Sequence, residues 1–368
     1  MFTAFTFKEV STMKRFKFLG ITLLVTALAT PLAATAQFGR ANPRQDSIDA
    51  ALPRIPYESI PLHLQTPDDR MVGETVGVDL NSEGHIFVFT RTGNVGPAKG
   101  ATAAALYEFD HNGNWIKEWG HGSYAWSFAH EVNVDRYDNV WVTDEGSNMV
   151  VKFNPQGEVE MVLGRKAEAI DYIQEYWERP VEESERGNGA GRPNSFGRPT
   201  NVTWDLDDNI FVADGYTNSR VAKFSPTGDY LGTIGQRGRE VGQFSTPHDI
   251  DSDAEGNIYV ADRGNNRIQV LDPDLNVIRV LDGMRSPWAI CITPPPNQYI
   301  YSADASGKIY KSTLDGEVVG MFGEMGKALG QFYWIHSMSC PSENEIYIGE
   351  VQNWRVQHVL LSPPVSDE

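Results

Sequence analysis

The stretch Asp208-Asn209-Ile210-Phe211-Val212-Ala213-Asp214 reads as a polar turn, a short apolar strand and a closing acid. The same pattern returns as Asp138-Asn139-Val140-Trp141-Val142-Thr143-Asp144 and as Glu255-Gly256-Asn257-Ile258-Tyr259-Val260-Ala261-Asp262. Looser copies run from Glu83 to Thr90, from Gln298 to Asp304 and from Glu345 to Glu350. Successive copies close 42–54 residues apart, with one gap of 70. Each continues into a further strand (Val150–Phe153, Arg220–Phe224, Arg267–Leu271, Lys308–Lys311), and a hairpin such as Ser225-Pro226-Thr227-Gly228 leads to a last one, as in Tyr230–Ile234.

Four short strands per unit and six units predict an all-β fold, a six-bladed β-propeller. A linear array of such sheets would leave two open edges, which ring closure removes. The last unit has only three clear strands before Pro363, so Tyr57–Leu64 is expected to supply its missing outer strand. Between the second and third units, residues 165–198 form an insertion, with a helical look over Ala167–Trp177 and a flexible Gly187–Gly191. Inter-blade connections of this kind carry lids and docking loops.

Acidic residues outnumber basic ones 49 to 31, for a formal charge of −18, which disfavours nucleic acid as a partner. The basic Lys14, Arg15 and Lys17, an apolar run from Phe18 and the small residues Ala34-Thr35-Ala36 read as a signal peptide over residues 1–36. Its removal would deepen the negative charge by three, since Lys8, Lys14, Arg15 and Lys17 leave with Glu9. An exported protein, periplasmic or secreted, is therefore expected, with no stable membrane insertion. The domain reading is then a linker over 37–55, the propeller over 56–364 and a tail over 365–368. Cys291 and Cys340 are the two cysteines, and their pairing is not legible in the sequence.

Counting back 14 residues from Asp144, Asp262 and Glu350 reaches His130, His248 and His336. The same column holds Val76, Thr200 and, with two residues inserted around Pro294-Pro295-Pro296, Trp288. Histidine in blades two, four and six places three imidazoles 120° apart around the axis. Three neutral imidazoles with an open fourth position are the ligand set of a catalytic zinc site, and manganese, iron and copper accept the same donors. The alternative is a water-bridged histidine cluster in the channel. The column after the closing acid holds Arg91 and Arg263 in opposite blades, a pair suited to an anion such as a carboxylate. Each arginine has the alternative of pairing with an acid of its own blade. Tyr216, on the same face, is a candidate base if nearby positive charge lowers its pKa.

The Gly-x-Phe-x-x-Pro run at Gly242–Pro247 and the Asn-x-Arg openings at Asn218-Ser219-Arg220 and Asn265-Asn266-Arg267 resemble NHL repeats. More narrowly, Asp214–Arg220, Thr246-Pro247-His248 and Phe89-Thr90-Arg91 are similar to the catalytic core of the peptidyl-α-hydroxyglycine α-amidating lyases. That resemblance implies cleavage of an α-hydroxyglycine terminus to an amide and glyoxylate. It implies zinc on His130, His248 and His336, catalysis by Tyr216, and substrate binding by Arg91 and Arg263. It also implies a structural calcium touching the carbonyls of Val78 and Val132. Ser337 stands where that family has an aspartate ligand, and Thr217 where it has a cysteine, so one calcium ligand and one disulfide are missing.

Two other function classes fit a propeller: a non-enzymatic module binding a protein or peptide on its face, and a lactonase-like hydrolase. The latter would use a carboxylate-held calcium, against which three histidines argue.

Overall fold

The computed structural model describes residues 43–92, 104–166 and 195–361. The signal-peptide reading and most of the insertion, including Ala167–Trp177 and Gly187–Gly191, lie outside these residues.

The described chain builds six antiparallel four-stranded sheets. Blade one spans Glu74–Trp119, blade two Ala129–Gly164, blade three Asn201–Ile234, blade four Pro247–Leu281 and blade five Ala289–Phe322. Blade six takes its inner strands from Ile335–Leu361 and its outer strand, β1, from Tyr57–Ile60. Tyr57 pairs with Leu361 and Ile60 with His358, so an N-terminal strand closes the ring as the three-stranded last unit predicts, over a shorter length than Tyr57–Leu64.

The repeat has a direct physical cause. Four of the closing acids, Asp144, Asp214, Asp262 and Glu350, are buried and gather donors from two directions. Asp262 accepts from the Ser245 backbone N–H, from Asn265 Nδ2 and from Arg267 Nε. Glu350 does the same with Tyr333 N, Asn353 Nδ2 and Arg355 Nε, and Asp214 with Gly197 N, Asn218 Nδ2 and Arg220 Nε. The Asn-x-Arg pattern is thus a clamp that ties the third strand and the loop before the first strand to one carboxylate. Paired and hydrogen-bonded in this way, the buried charge is compensated. The turn before the second strand needs a left-handed residue, supplied by Asp138, Asp208 or Gly256 (φ 62°, 62° and 82°).

The core is divided among the blade interfaces. Phe87, Phe89, Trp119, Trp126 and Phe153 pack between blades one and two, for example, and Phe211, Val221, Phe244 and Ile258 between blades three and four. Phe244, the aromatic of the Gly-x-Phe-x-x-Pro run, is wholly buried there. A disulfide joins Cys291 to Cys340, across the inner strands of blades five and six, with Cα atoms 5.8 Å apart.

The stretch expected as a linker contains a helix, α1, Pro43–Ala51. Its Asp49 is buried against blade five and accepts from Lys308 Nζ at 2.5 Å, Arg285 Nε at 2.9 Å and Tyr310 Oη at 3.0 Å. Burial opposes ionisation, but the bonds from Lys308, Gln45, Arg285 and Tyr310 hold this carboxyl down to about 2. Among the described residues no helix is long and apolar enough to cross a membrane.

Candidate active site

The three histidines meet because each is the extra residue of a β-bulge. In blade two Ala129 pairs with Asp144 and Glu131 with Thr143, leaving His130 unpaired between them. His248 and His336 occupy the same irregularity in blades four and six. A bulge re-aims one side chain out of the strand's alternation, here toward the axis. The ring centroids lie 4.8, 4.6 and 4.9 Å apart. One nitrogen from each ring falls within 4.8 Å of the others, and all three side chains are buried.

The second nitrogen is committed elsewhere. Nδ1 of His248 donates to the Trp288 carbonyl at 2.7 Å, and Nδ1 of His336 to the Val76 carbonyl at 2.8 Å. Each acceptor is the residue of the histidine column in the next blade. For His130 that residue is Thr200, whose carbonyl acts on the imidazole without a bond of normal geometry, since Nδ1 meets no close partner. With Nδ1 carrying the proton, Nε2 presents its lone pair to the axis. Burial, reinforced by Arg263 on all three, by Arg91 on His130 and His336, and by the neighbouring imidazoles on His130 and His248, lowers the three histidines, His336 to about 3. They are neutral at physiological pH, the form that binds metal. Donor type, tautomer and convergence therefore fit a divalent ion.

Tyr216 closes over this ring. Its Oη lies 3.3 Å from His130 Nε2 and 3.1 Å from His248 Nε2. In the chain alone burial raises its pKa; Arg263 and Arg91 pull the other way, while Glu145 adds to the rise. The lowering envisaged from sequence is thus outweighed by burial, and the hydroxyl remains a proton donor.

The two arginines differ. Arg91 follows the own-blade alternative: Nη1 meets Glu74, its cross-strand partner, at 3.2 Å, Nε donates to the Ala129 carbonyl, and the guanidinium lies 3.7 Å over Phe128. Arg263 has no carboxylate partner among the described residues. Its guanidinium packs 4.1 Å from the Trp288 ring and 5.3 Å from Tyr216, and its buried Nη1 has no hydrogen-bond acceptor.

Two residues escaped the sequence reading. Glu145 follows Asp144, the column of Arg91 and Arg263, and its Oε2 stands 3.9 Å from His130 Nε2. Arg198 donates from Nη2 to Glu145 Oε1 at 2.9 Å and lies 4.4 Å from the Tyr216 ring. Reading that column for any charge, and not for arginine alone, would have found Glu145.

One residue further along the inner strands, the channel changes character. Glu131, Asn201, Asp249 and Ser337 line a cavity of about 180 Å³ together with Val78 and Val132. Ser337 Oγ donates to Glu131 Oε1 at 2.6 Å and accepts from the Val78 backbone N–H. A carboxylate thus reaches the neighbourhood of Val78, Val132 and Ser337, from blade two.

This geometry can be set beside known proteins. Residues 244–271 match the family model of the NHL repeat. That NHL segment carries His248, the Asp262 clamp and Arg263. Over 222 residues the chain is 29% identical to a probable peptidyl-α-hydroxyglycine α-amidating lyase of Caenorhabditis elegans, covering 56% of this chain and 57% of that one. Over 343 residues it is 28% identical to peptidyl-α-hydroxyglycine α-amidating lyase 1 of Drosophila melanogaster, covering 80% of this chain and 59% of that one. The chain thus spans under two thirds of the length of these relatives. Among solved structures, a streptogramin B lyase superposes with a TM-score of 0.53 at 14% identity, covering 84% of this chain and 98% of that one, a likeness of fold.

Proposed function

We propose that this protein is a metal-dependent carbon–nitrogen lyase that splits an α-hydroxyglycine-type carbinolamide into an amide and glyoxylate. One observation carries the reading: the Tyr216 hydroxyl sits on the Nε2 atoms of His130 and His248, beside an Arg263 whose Nη1 is buried and unengaged. The names borne by the worm and fly relatives support it.

His130, His248 and His336 would hold the ion, zinc first, and when bound it supplies a Lewis acid for the carbinol oxygen. Arg263 binds the substrate carboxylate and orients the carbinol carbon toward Tyr216, while Arg91, held by Glu74 on the opposite side, adds positive charge to the site. With the charge of the ion added to those of Arg263 and Arg91, Tyr216 would give up its own proton and, as phenolate, take the hydroxyl proton; the C–N bond breaks as the carbonyl of glyoxylate forms, and the electron pair leaves on nitrogen. The proton held by Tyr216 then passes to that nitrogen, so amide and glyoxylate account for every atom of the substrate. The buried ring excludes bulk water from this exchange. For calcium, the carboxylate of Glu131 beside Ser337 offers a replacement for the family's aspartate. The proposal includes export, periplasmic or secreted, which the Cys291–Cys340 disulfide favours.

The test is glyoxylate release from α-hydroxyhippurate by zinc-loaded protein. Release well above the spontaneous rate, and its loss when the substrate carboxylate is esterified, is the expected result. Fully loaded protein with no release above background would refute the lyase reading and favour a binding module.

A further inference from the structure

Glu145 is the part of the site that the reaction above does not use. Its side chain is 2% exposed, and its two oxygens have different fates. Oε1 is taken by Arg198 Nη2 at 2.9 Å, which fixes the plane of the carboxylate. Oε2 is buried, accepts no hydrogen bond, and stands 3.9 Å from His130 Nε2. A buried carboxylate oxygen without a donor is costly and calls for a partner. Asp144, next to it, satisfies its oxygens with Ser127 N, Phe128 N and Ser147 N; among the described acids Glu74 Oε1, on the partner of Arg91, shares the orphaned state.

Ligand atoms around a tetrahedral zinc ion stand roughly 3.3–3.6 Å apart, given bonds of about 2.0–2.2 Å. Oε2 is a few tenths of an ångström beyond that from His130 Nε2 and more than 4.0 Å from the nitrogens of His248 and His336, so ligation requires the carboxylate to turn toward the axis. We propose that Glu145 is a fourth protein ligand to the metal of the histidine ring, positioned by Arg198. The inference rests on the metal reading given above.

A closed set of four protein ligands leaves no position for substrate, so Glu145 must be exchangeable. Arg198 is suited to govern the exchange. It is 47% exposed, it holds Glu145, and it stacks on Tyr216, so an incoming carboxylate meets it before reaching the ring.

Cobalt(II)-loaded full-length protein provides the test, because cobalt absorbs strongly when four-coordinate and weakly when water fills a larger shell. Wild type is expected to show strong absorption without added ligand. Glu145→Gln should weaken metal affinity by about 10- to 100-fold in chelator competition and shift the spectrum to the weaker form. Arg198→Met, which keeps the carboxylate, should lose less affinity than Glu145→Gln and guards against a variant that fails to fold. Adding hippurate, a carboxylate without the reactive hydroxyl, should alter the wild-type spectrum and leave that of Glu145→Gln unmoved. If Glu145→Gln binds cobalt with wild-type affinity and spectrum, Glu145 is only the counter-charge of Arg198 and the inference falls alone. A wild-type protein that takes up no cobalt would overturn the metal reading together with it.

Discussion

Two layers of the channel differ by a single residue along the same strands and by everything in their chemistry. The upper layer is His130, His248 and His336; the next residues are Glu131, Asp249 and Ser337. In the upper layer Nδ1 of two histidines is spent on the next blade's carbonyls and Nε2 is left toward the axis. In the layers below, the acids are spent on holding blades together. Asp249 accepts the Ile290 N–H, Asp251 the Ile292 N–H, and Asp79 the Val134 N–H, each from the neighbouring blade. Inner strands at a channel have no sheet partner on one side, and these carboxyls satisfy the orphaned donors. What separates a reactive layer from a structural one is therefore which polar atoms are still free once the backbone is satisfied.

The layers also titrate in opposite senses. Burial lowers the imidazoles, so they stay neutral. Burial raises Asp249 and Asp251 to about 7 and Glu131 well above its ordinary value. A group lowered on folding costs stability as pH falls below its unfolded value, whereas a raised carboxyl costs stability as pH rises above its unfolded value, about 3.8 for aspartate.

The largest effect that would sharpen this contrast is expected at Tyr216. Tyr216→Phe should lower glyoxylate turnover by about 10²–10⁴-fold while zinc remains bound, because the hydroxyl belongs to the chemistry. Steady-state rates with metal content measured on the same sample would decide it; wild-type turnover removes the tyrosine from the mechanism. Next, Arg263→Met should cut kcat/KM by about 10- to 100-fold, the worth of a charged hydrogen bond to a carboxylate, with little change in melting temperature. Arg91→Met should lose stability as well, since it strands the buried Glu74. Equal melting losses for both would mean that Arg263 is structural too.

The smallest effect lies in the lower layer. Asp251 keeps some surface toward the cavity, so water tempers the rise that full enclosure would give. Asp251→Asn preserves an acceptor for Ile292 and should stabilise the protein by roughly 1–2 kcal/mol at pH 8. The gain should fade toward pH 3, below the unfolded value of about 3.8, where the native and unfolded carboxyls are both mostly protonated. Denaturant melts at the two pH values check this, and an effect of the same size at both would show that the carboxyl is ionised throughout.

Much of this was legible because repeats turn long-range structure into local pattern. The closing acids and the Asn-x-Arg clamps recur at fixed spacing, so six blades and the histidine column could be counted. Features made once resisted the same reading. Glu145 and Arg198 are 53 residues apart, Glu74 captures Arg91 across a strand pair, and Asp49 reaches Lys308 over 259 residues. No periodicity announces such pairs, and the bulge that turns each histidine to the axis shows only in the strand register.

The central claim is that the histidine layer, and not the acidic one, holds the catalytic ion. Elemental analysis of purified wild-type protein, of the triple His130/His248/His336→Ala variant and of Asp251→Asn tests it most directly. The account predicts about one zinc-class ion per chain in wild type and in Asp251→Asn, and none in the triple variant, with glyoxylate release following the ion. A folded triple variant that retains the full complement would contradict it.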